Sequence, residues 1–211
     1  LGANGIVGAS TPLGVGAAMA AQVRGSDAVT IAFSTDGASN NGTFLESLNL
    51  AAIWNLNFIL IAENNQYAVS TTLAEATRET ELYKRGEAIG VESHRIDGND
   101  SLLVYETVSD AVKKCRAGLG PILIEAVTFR HSGHHVNDPG KYMPEDKLKY
   151  YKDRDPVDRA RDNLIKMGKA TKKEVAAIEA EIEAEFEAAV VAAKAAGEVS
   201  VEEFKEFIAE Y

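Results

Sequence analysis

Two short polar loops hold the residues best suited to chemistry. One reads Ser34-Thr35-Asp36-Gly37-Ala38-Ser39-Asn40-Asn41-Gly42, the other Ala62-Glu63-Asn64-Asn65-Gln66-Tyr67-Ala68-Val69-Ser70. One carboxylate, Asp36, one side-chain amide oxygen, Asn65, and nearby backbone carbonyls make a donor set for a hard cation such as Mg2+. That ion commonly completes its octahedral shell with waters and with the phosphate oxygens of a ligand. Taken separately, Asp36-Gly37 and Asn64-Asn65 also read as ordinary turns, because these residue types dominate turns in any protein. Their setting joins them. The runs at 29–33 and 58–61 are short and apolar, so each reads as a buried parallel strand ending just before its polar loop. Between them Phe44, Leu48, Ala51, Ala52 and Trp54 recur at helical spacing, with Gly42-Thr43 as the start, which makes a strand–helix–strand crossover. Both loops then open on one sheet edge, outside the carboxyl ends of the strands, where ligands of open α/β sheets bind.

A second candidate is the loop Phe129-Arg130-His131-Ser132-Gly133-His134-His135-Val136-Asn137-Asp138-Pro139, which carries three of the four histidines. A zinc site is one reading, although no cysteine accompanies the histidines and their spacing matches no standard structural motif. A solvated loop is the plainer one. The single cysteine, Cys115, lies in a helical pattern between Lys114 and Arg116 with no His or acid partner nearby in sequence, and reads as structural. A chain with one cysteine has no internal disulfide, and a reducing cytoplasm is expected. Gly14-Val15-Gly16 fails as a dinucleotide fingerprint because Met19 stands where the third glycine belongs.

The remaining elements fall into an alternating order. Residues 12–21 form a small-residue helix whose glycines permit close backbone approach. Residues 70–78 read as a polar loop and 81–88 as a short helix closed by Gly90. Residues 93–96 form a strand, Asp97-Gly98-Asn99-Asp100 a turn, and 101–116 a helix with Leu102, Leu103, Val104, Val108, Ala111 and Val112 on its apolar face. Residues 122–127 return to the sheet. This order predicts a doubly wound parallel α/β domain over residues 1–142. Composition then shifts to Lys, Glu and Ala, and 143–211 is expected to be a C-terminal helical region punctuated by Pro144 and Pro156. Its long helix, 171–196, carries a stripe of Val175, Ile178, Ile182, Phe186, Val190 and Ala193 that packs on its own domain or meets another subunit, and 201–211 forms one more helix. The formal net charge is −10, so nucleic acid is a poor partner, and 45% hydrophobic residues suffice for one sizeable core. No targeting sequence or membrane span is expected.

Several phrases carry a resemblance. The two polar loops resemble the thiamine-diphosphate motif, Gly-Asp-Gly followed by Asn-Asn. Gly2-Ala3-Asn4-Gly5-Ile6-Val7-Gly8-Ala9-Ser10, Glu63-Asn64-Asn65-Gln66-Tyr67-Ala68, Asp97-Gly98-Asn99-Asp100 and Gly120-Pro121-Ile122-Leu123-Ile124-Glu125 are similar to the α subunit of heterotetrameric 2-oxo acid and acetoin dehydrogenases. The match runs in order over residues 1–156. Because the chain begins at Leu1 on the edge of a family phrase, it is read as lacking the family's N-terminal portion.

The resemblance implies a thiamine-diphosphate-binding fold with Mg2+. Asp36 and Asn65 would be side-chain metal ligands and Tyr67 a backbone-carbonyl ligand. Gly37 and Ala38 would approach the diphosphate, and Gly5 and Val7 would lie against the aminopyrimidine. His134, from the Gly133-His134 pair, would be the catalytic residue near the diphosphate and the reacting centre. The implied partners are a β subunit, in an α2β2 heterotetramer to which it contributes a glutamate, and a lipoyl-bearing E2 acyltransferase. The implied substrate is a 2-oxo acid, pyruvate foremost, or acetoin. Three positions depart from the family: Thr35 replaces the first glycine of Gly-Asp-Gly, Met143 stands where arginine usually follows the tyrosine matched by Tyr142, and His135 stands where mitochondrial members carry a regulatory phosphoserine. Two other classes stay open. A Mg-dependent phosphohydrolase would use Asp36 as a metal ligand but lacks a visible nucleophile, a Lys partner and a Gly-Lys-Ser/Thr loop, and a non-catalytic α/β interaction protein would keep the motifs as scaffold.

Overall fold

In chain order the computed structural model contains α1 (Ser10–Val23), β1 (Thr30–Thr35), α2 (Gly42–Ile53), β2 (Phe58–Asn64), a hairpin of β3 (Tyr67–Ala68) and β4 (Thr71–Thr72), α3 (Leu73–Ala76), α4 (Tyr83–Glu87), β5 (Glu92–Asp97), α5 (Ser101–Arg116) and β6 (Ile122–Val127). Then come α6 (Glu145–Lys152), α7 (Pro156–Lys166), α8 (Lys172–Ala195) and α9 (Val201–Ala209). The structure describes Gly2 and residues 5–209; Leu1, Ala3 and Asn4 of the opening phrase and the end of the last expected helix, Glu210 and Tyr211, lie outside the described residues.

The main sheet is parallel throughout, in the order β1-β2-β6-β5. Its register pairs Thr35 with Glu63 and Asn64 with Val127, so β1, β2 and β6 all end at one edge. Side chains alternate across it. Ala32, Phe58, Leu60 and Ala62 face α1 and α2 in one apolar cluster, while Ile59, Ile61, Ile122 and Ile124 face Ala111 and Cys115 of α5 in another. Helices on both faces make the sheet doubly wound, as the sequence predicts. Phe44, Leu48 and Phe58 are fully buried, and each such side chain contributes about 1.5–3 kcal/mol by leaving water.

Gly14 shows why the first helix is built from small residues. A Cβ there would stand 2.8 Å from Ala32 Cβ and 2.8 Å from Phe58 Cε2, so the glycine lets α1 lie directly on β1 and β2. Asn41 caps α2, its Oδ1 accepting from the Thr43 N–H at 3.1 Å, and Asp100 caps α5 by accepting from the Leu102 and Leu103 N–H groups.

Two expectations are corrected. Residues 70–78 are not a plain loop: they hold β4 and α3, the latter started by a capping box in which Thr72 and Glu75 satisfy each other's backbone N–H. On α5 the buried positions are Ala111 and Cys115, while Leu102 and Leu103 are exposed, because the first turn of the helix extends past the sheet-facing cluster. Contacts group the chain into two compact units, Leu1–Ala160 and Arg161–Tyr211, and the composition change after residue 142 falls inside the first. Residues just beyond that change stay with the first unit, since Tyr151 stacks on Phe129 at 5.0 Å and Met143 is buried beside Tyr67 and Phe129. In the second unit a capping box of Thr171 and Glu174 starts α8, Val175 is buried, and Ile178, Ile182 and Phe186 are exposed. No described helix is long and apolar enough to cross a membrane.

Candidate functional site

The site starts from the point where β1 runs out. Asp36 follows the strand and is only 1% exposed, yet neither of its carboxylate oxygens has a hydrogen-bond partner among the described residues. Burial pushes its pKa above the usual 3.8, opposed in part by the nearby peptide groups of Asp36, Gly37 and Asn65 and by the Arg130 charge. An unpaired buried carboxylate costs several kcal/mol unless a cation or a proton meets it. After Asp36 the chain tightens into a 3-10 turn, Ala38–Asn40, in which Ala38 N–H donates to Thr35 Oγ1 at 3.1 Å and the Ser39 hydroxyl donates to Asp36 O at 2.6 Å. Thr35, the departure from Gly-Asp-Gly, therefore supports this turn. Gly37 sits against Ala68, where an added Cβ would stand 2.7 Å from Ala68 Cβ.

The second loop lies across the sheet edge from the first, as the Thr35–Glu63 register requires. Asn64 is buried; its Nδ2 donates to Glu125 Oε1 at 2.6 Å and its Oδ1 accepts from the Gln66 N–H at 3.1 Å. Asn65 Oδ1 accepts from the Tyr67 N–H at 3.1 Å, which leaves the oxygen's second lone pair for another partner. Gln66 and Val69 have positive φ, 70° and 55°. For a β-branched residue that conformation is strained, and it persists because Val69 O accepts from Arg130 Nη1 at 2.6 Å.

Arg130 is one residue that sequence reasoning left without a role. Its Nη2 donates to Tyr67 O at 2.7 Å, so the carbonyl expected to ligate a metal already accepts one bond and retains one lone pair. Its only signal in the sequence is a cation at the head of the histidine loop. With Asp36 and the Asn65 amide oxygen, Tyr67 O completes a hard-oxygen donor set that fits a divalent cation. The orphaned charge on Asp36 is the observation that makes the fit.

A family model completes the picture: that of the dehydrogenase E1 component matches residues 1–202. The chain belongs to the dehydrogenase E1 component family. It is 40% identical over 181 residues to the pyruvate dehydrogenase E1 component subunit alpha of Rhizobium meliloti (strain 1021), covering 85% of this chain and 52% of that protein. Similarity to the pyruvate dehydrogenase E1 component subunit alpha, somatic form, mitochondrial, of Bos taurus is 40% over 182 residues, 85% of this chain and 46% of that protein. The corresponding Rickettsia bellii (strain RML369-C) subunit is 35% identical over 178 residues, 84% of this chain and 55% of that protein. The chain spans about half the length of the curated relatives it matches.

The other residues expected of an E1 component are placed less tightly. Gly5 and Val7 are exposed in the turn before α1, and Val7 O accepts from Asn41 Nδ2 at 3.4 Å, which ties that turn to the end of the Asp36 loop. His134 is exposed; its ring meets the His135 ring edge-on at 6.4 Å, and its N–H donates to Asp138 Oδ2 at 2.7 Å. Asp138 organises this loop. It also accepts from the Gly140 N–H and the Tyr142 hydroxyl, and the His134 and Gly140 N–H groups hold its pKa at about 2. Gly133 is needed there, since a Cβ would collide with the Asp138 carbonyl. Met143, where the family usually has arginine, packs under Tyr67 and closes over Gly140. Among the described residues no group of three His, Cys, Asp or Glu side chains converges to hold a metal, so the zinc reading of the histidines is set aside. Cys115 is buried, its pKa pushed up to about 11 by that burial, which makes it an inert core thiol.

Proposed function

We propose that this chain is an α-type subunit of a thiamine-diphosphate-dependent dehydrogenase E1 component, acting on a 2-oxo acid, with pyruvate foremost and acetoin as the variant substrate. The observation that carries the reading is the buried, unpartnered Asp36 carboxylate at the strand end of an E1-family chain. Names of the similar proteins support pyruvate. When bound, thiamine diphosphate supplies a nucleophilic carbon and an electron sink beside the substrate carbonyl.

The protein's own residues would bind and orient. Asp36 and Asn65 side-chain oxygens with the Tyr67 carbonyl would hold Mg2+, which neutralises a diphosphate brought into a partly dehydrated edge. Gly37 and Ala38 would present backbone to the diphosphate, and Gly5 and Val7 to the aminopyrimidine. His134 Nε2 or Nδ1 would carry a proton near the reacting centre. The buried thiol suits a reducing compartment, in our reading the cytoplasm. The partners would be a β subunit in an α2β2 assembly and a lipoyl-bearing E2 acyltransferase. Membership of the E1 family weighs against both the phosphohydrolase and the non-catalytic reading.

Calorimetric titration of the assembled protein tests this. Thiamine diphosphate should bind only with a divalent metal, and Asp36→Ala should abolish that binding. Unchanged affinity in the variant would remove the central claim.

A further inference from the structure

Two charged residues outside the donor set hold its two loops together through one short helix. On one side Arg85, in α4, donates from Nη1 to Ser39 O at 2.6 Å and Ser39 Oγ at 3.2 Å, and from Nη2 to Asn40 Oδ1 at 3.2 Å and Thr77 Oγ1 at 2.6 Å. Ser39 Oγ passes that constraint on by donating to Asp36 O. On the other side Glu125, on β6 and 0% exposed, accepts from Asn64 Nδ2 at 2.6 Å with Oε1. Its Oε2 accepts from the N–H of Tyr83, the residue that opens α4, at 3.1 Å, and faces Arg95 Nε at 3.7 Å. The same five-residue helix is thus fastened to the Asp36 loop by a side chain and to the Asn64 loop through a shared carboxylate.

Packing fixes where that helix can stand. Gly86 presses α4 onto the sheet, because a Cβ there would collide with Ser93 Oγ and stand 2.9 Å from Leu123 Cδ2. A buried glutamate in a sheet interior is a poor way to gain stability, since a well-packed apolar residue of similar volume does as well or better. Where every oxygen of such a group is engaged, it specifies one arrangement of its partners.

The geometry points to Arg85 and Glu125 as positioning residues that set the separation of the Asp36 and Asn65 loops, and so the affinity for Mg2+ and a diphosphate. This rests on the cofactor reading above. Outer groups that orient metal ligands typically change metal affinity 10–100-fold when removed. Neither residue belongs to the proposed donor set, so the effect is read in binding rather than in folding.

The test titrates thiamine diphosphate at fixed Mg2+, and Mg2+ at fixed thiamine diphosphate, into the full chain assembled with its partner, by calorimetry. Arg85→Lys keeps the charge but loses the fork, and Glu125→Gln keeps the shape but loses the charge and one acceptor. Each should weaken both titrations by about 10–100-fold. Ile122→Val, in the cluster against α5, serves as a control of comparable destabilisation and should leave affinity within about twofold. If Glu125→Gln or Arg85→Lys does not fold, Thr77→Val removes one Arg85 acceptor at a part-buried position and should still weaken binding a few-fold. Wild-type protein that binds, with variants that bind equally well or a control that loses as much, overturns the clamp alone. A wild-type protein that does not bind overturns the cofactor reading and the clamp with it.

Discussion

Asp36 puts a buried carboxylate where no hydrogen bond from the described residues reaches either oxygen, and pH exposes the consequence. Its folded-state pKa lies above 3.8, so across the window from 3.8 up to that raised value the folded chain holds a proton that the unfolded chain has released. Stability of the metal-free chain should therefore fall as pH rises through that window. Asp36→Asn should remove this fall and stabilise the metal-free chain at neutral pH by about 1–3 kcal/mol, read from urea denaturation at a series of pH values. A neutral-pH midpoint no higher than wild type would contradict it. Mg2+ should then stabilise the wild type and not the variant. His134 is a different kind of residue, exposed and held by its backbone rather than its ring. On the proposed reading His134→Ala should lower turnover by about 10²–10⁴-fold while stability changes by less than about 0.5 kcal/mol. Steady-state rates with an unchanged pH profile would argue that the ring has no such part.

At the scale of elements, α4 is short but has no slack. Gly86→Ala should destabilise the chain by about 1–3 kcal/mol through contact with Ser93 and Leu123, measured as a shift in the urea midpoint, and an unshifted midpoint would show that α4 can move off the sheet. The strands were readable from sequence because β-branched runs such as 58–61 and 122–127 leave little alternative, and the two loops followed from the strand ends. The β3–β4 hairpin was not readable: two-residue strands carry no period, and their register depends on the positive φ of Val69, an unusual residue for it. Asp36 and Asn65 could be singled out because their neighbours in sequence are also their neighbours in space. Arg85, Glu125 and Arg130 could not, since each acts on a loop far away along the chain, Glu125 and Arg130 by some sixty residues. Likewise Leu102 and Leu103 fit the apolar period of α5 and are nonetheless exposed, because periodicity says nothing about where the sheet beneath ends.

For the whole molecule, the donors that the proposed reading calls for lie on one chain only in part. Thiamine enzymes need a carboxylate to activate the aminopyrimidine, and the resemblance assigns it to a β subunit. The purified chain alone should therefore not turn over a 2-oxo acid, and mixing with the β subunit should restore activity together with an α2β2 mass by light scattering. A monomer or homodimer that decarboxylates unaided would end the heteromeric reading. The two margins of the parallel sheet bear on how such a chain is handled. β5 presents Glu92, Arg95 and Asp97, charges that discourage strand addition, whereas β1 presents Ile31 and Phe33, 38% and 56% exposed. Ser10 Oγ caps one carbonyl of that strand, Phe33 O, at 2.5 Å, and leaves its apolar side chains bare. An apolar margin of this kind is a template for amyloid-like stacking. Copies of the isolated chain should accordingly associate first along β1, and Phe33→Lys should slow the growth of turbidity in concentrated solution, where an unchanged rate would clear that strand of the part.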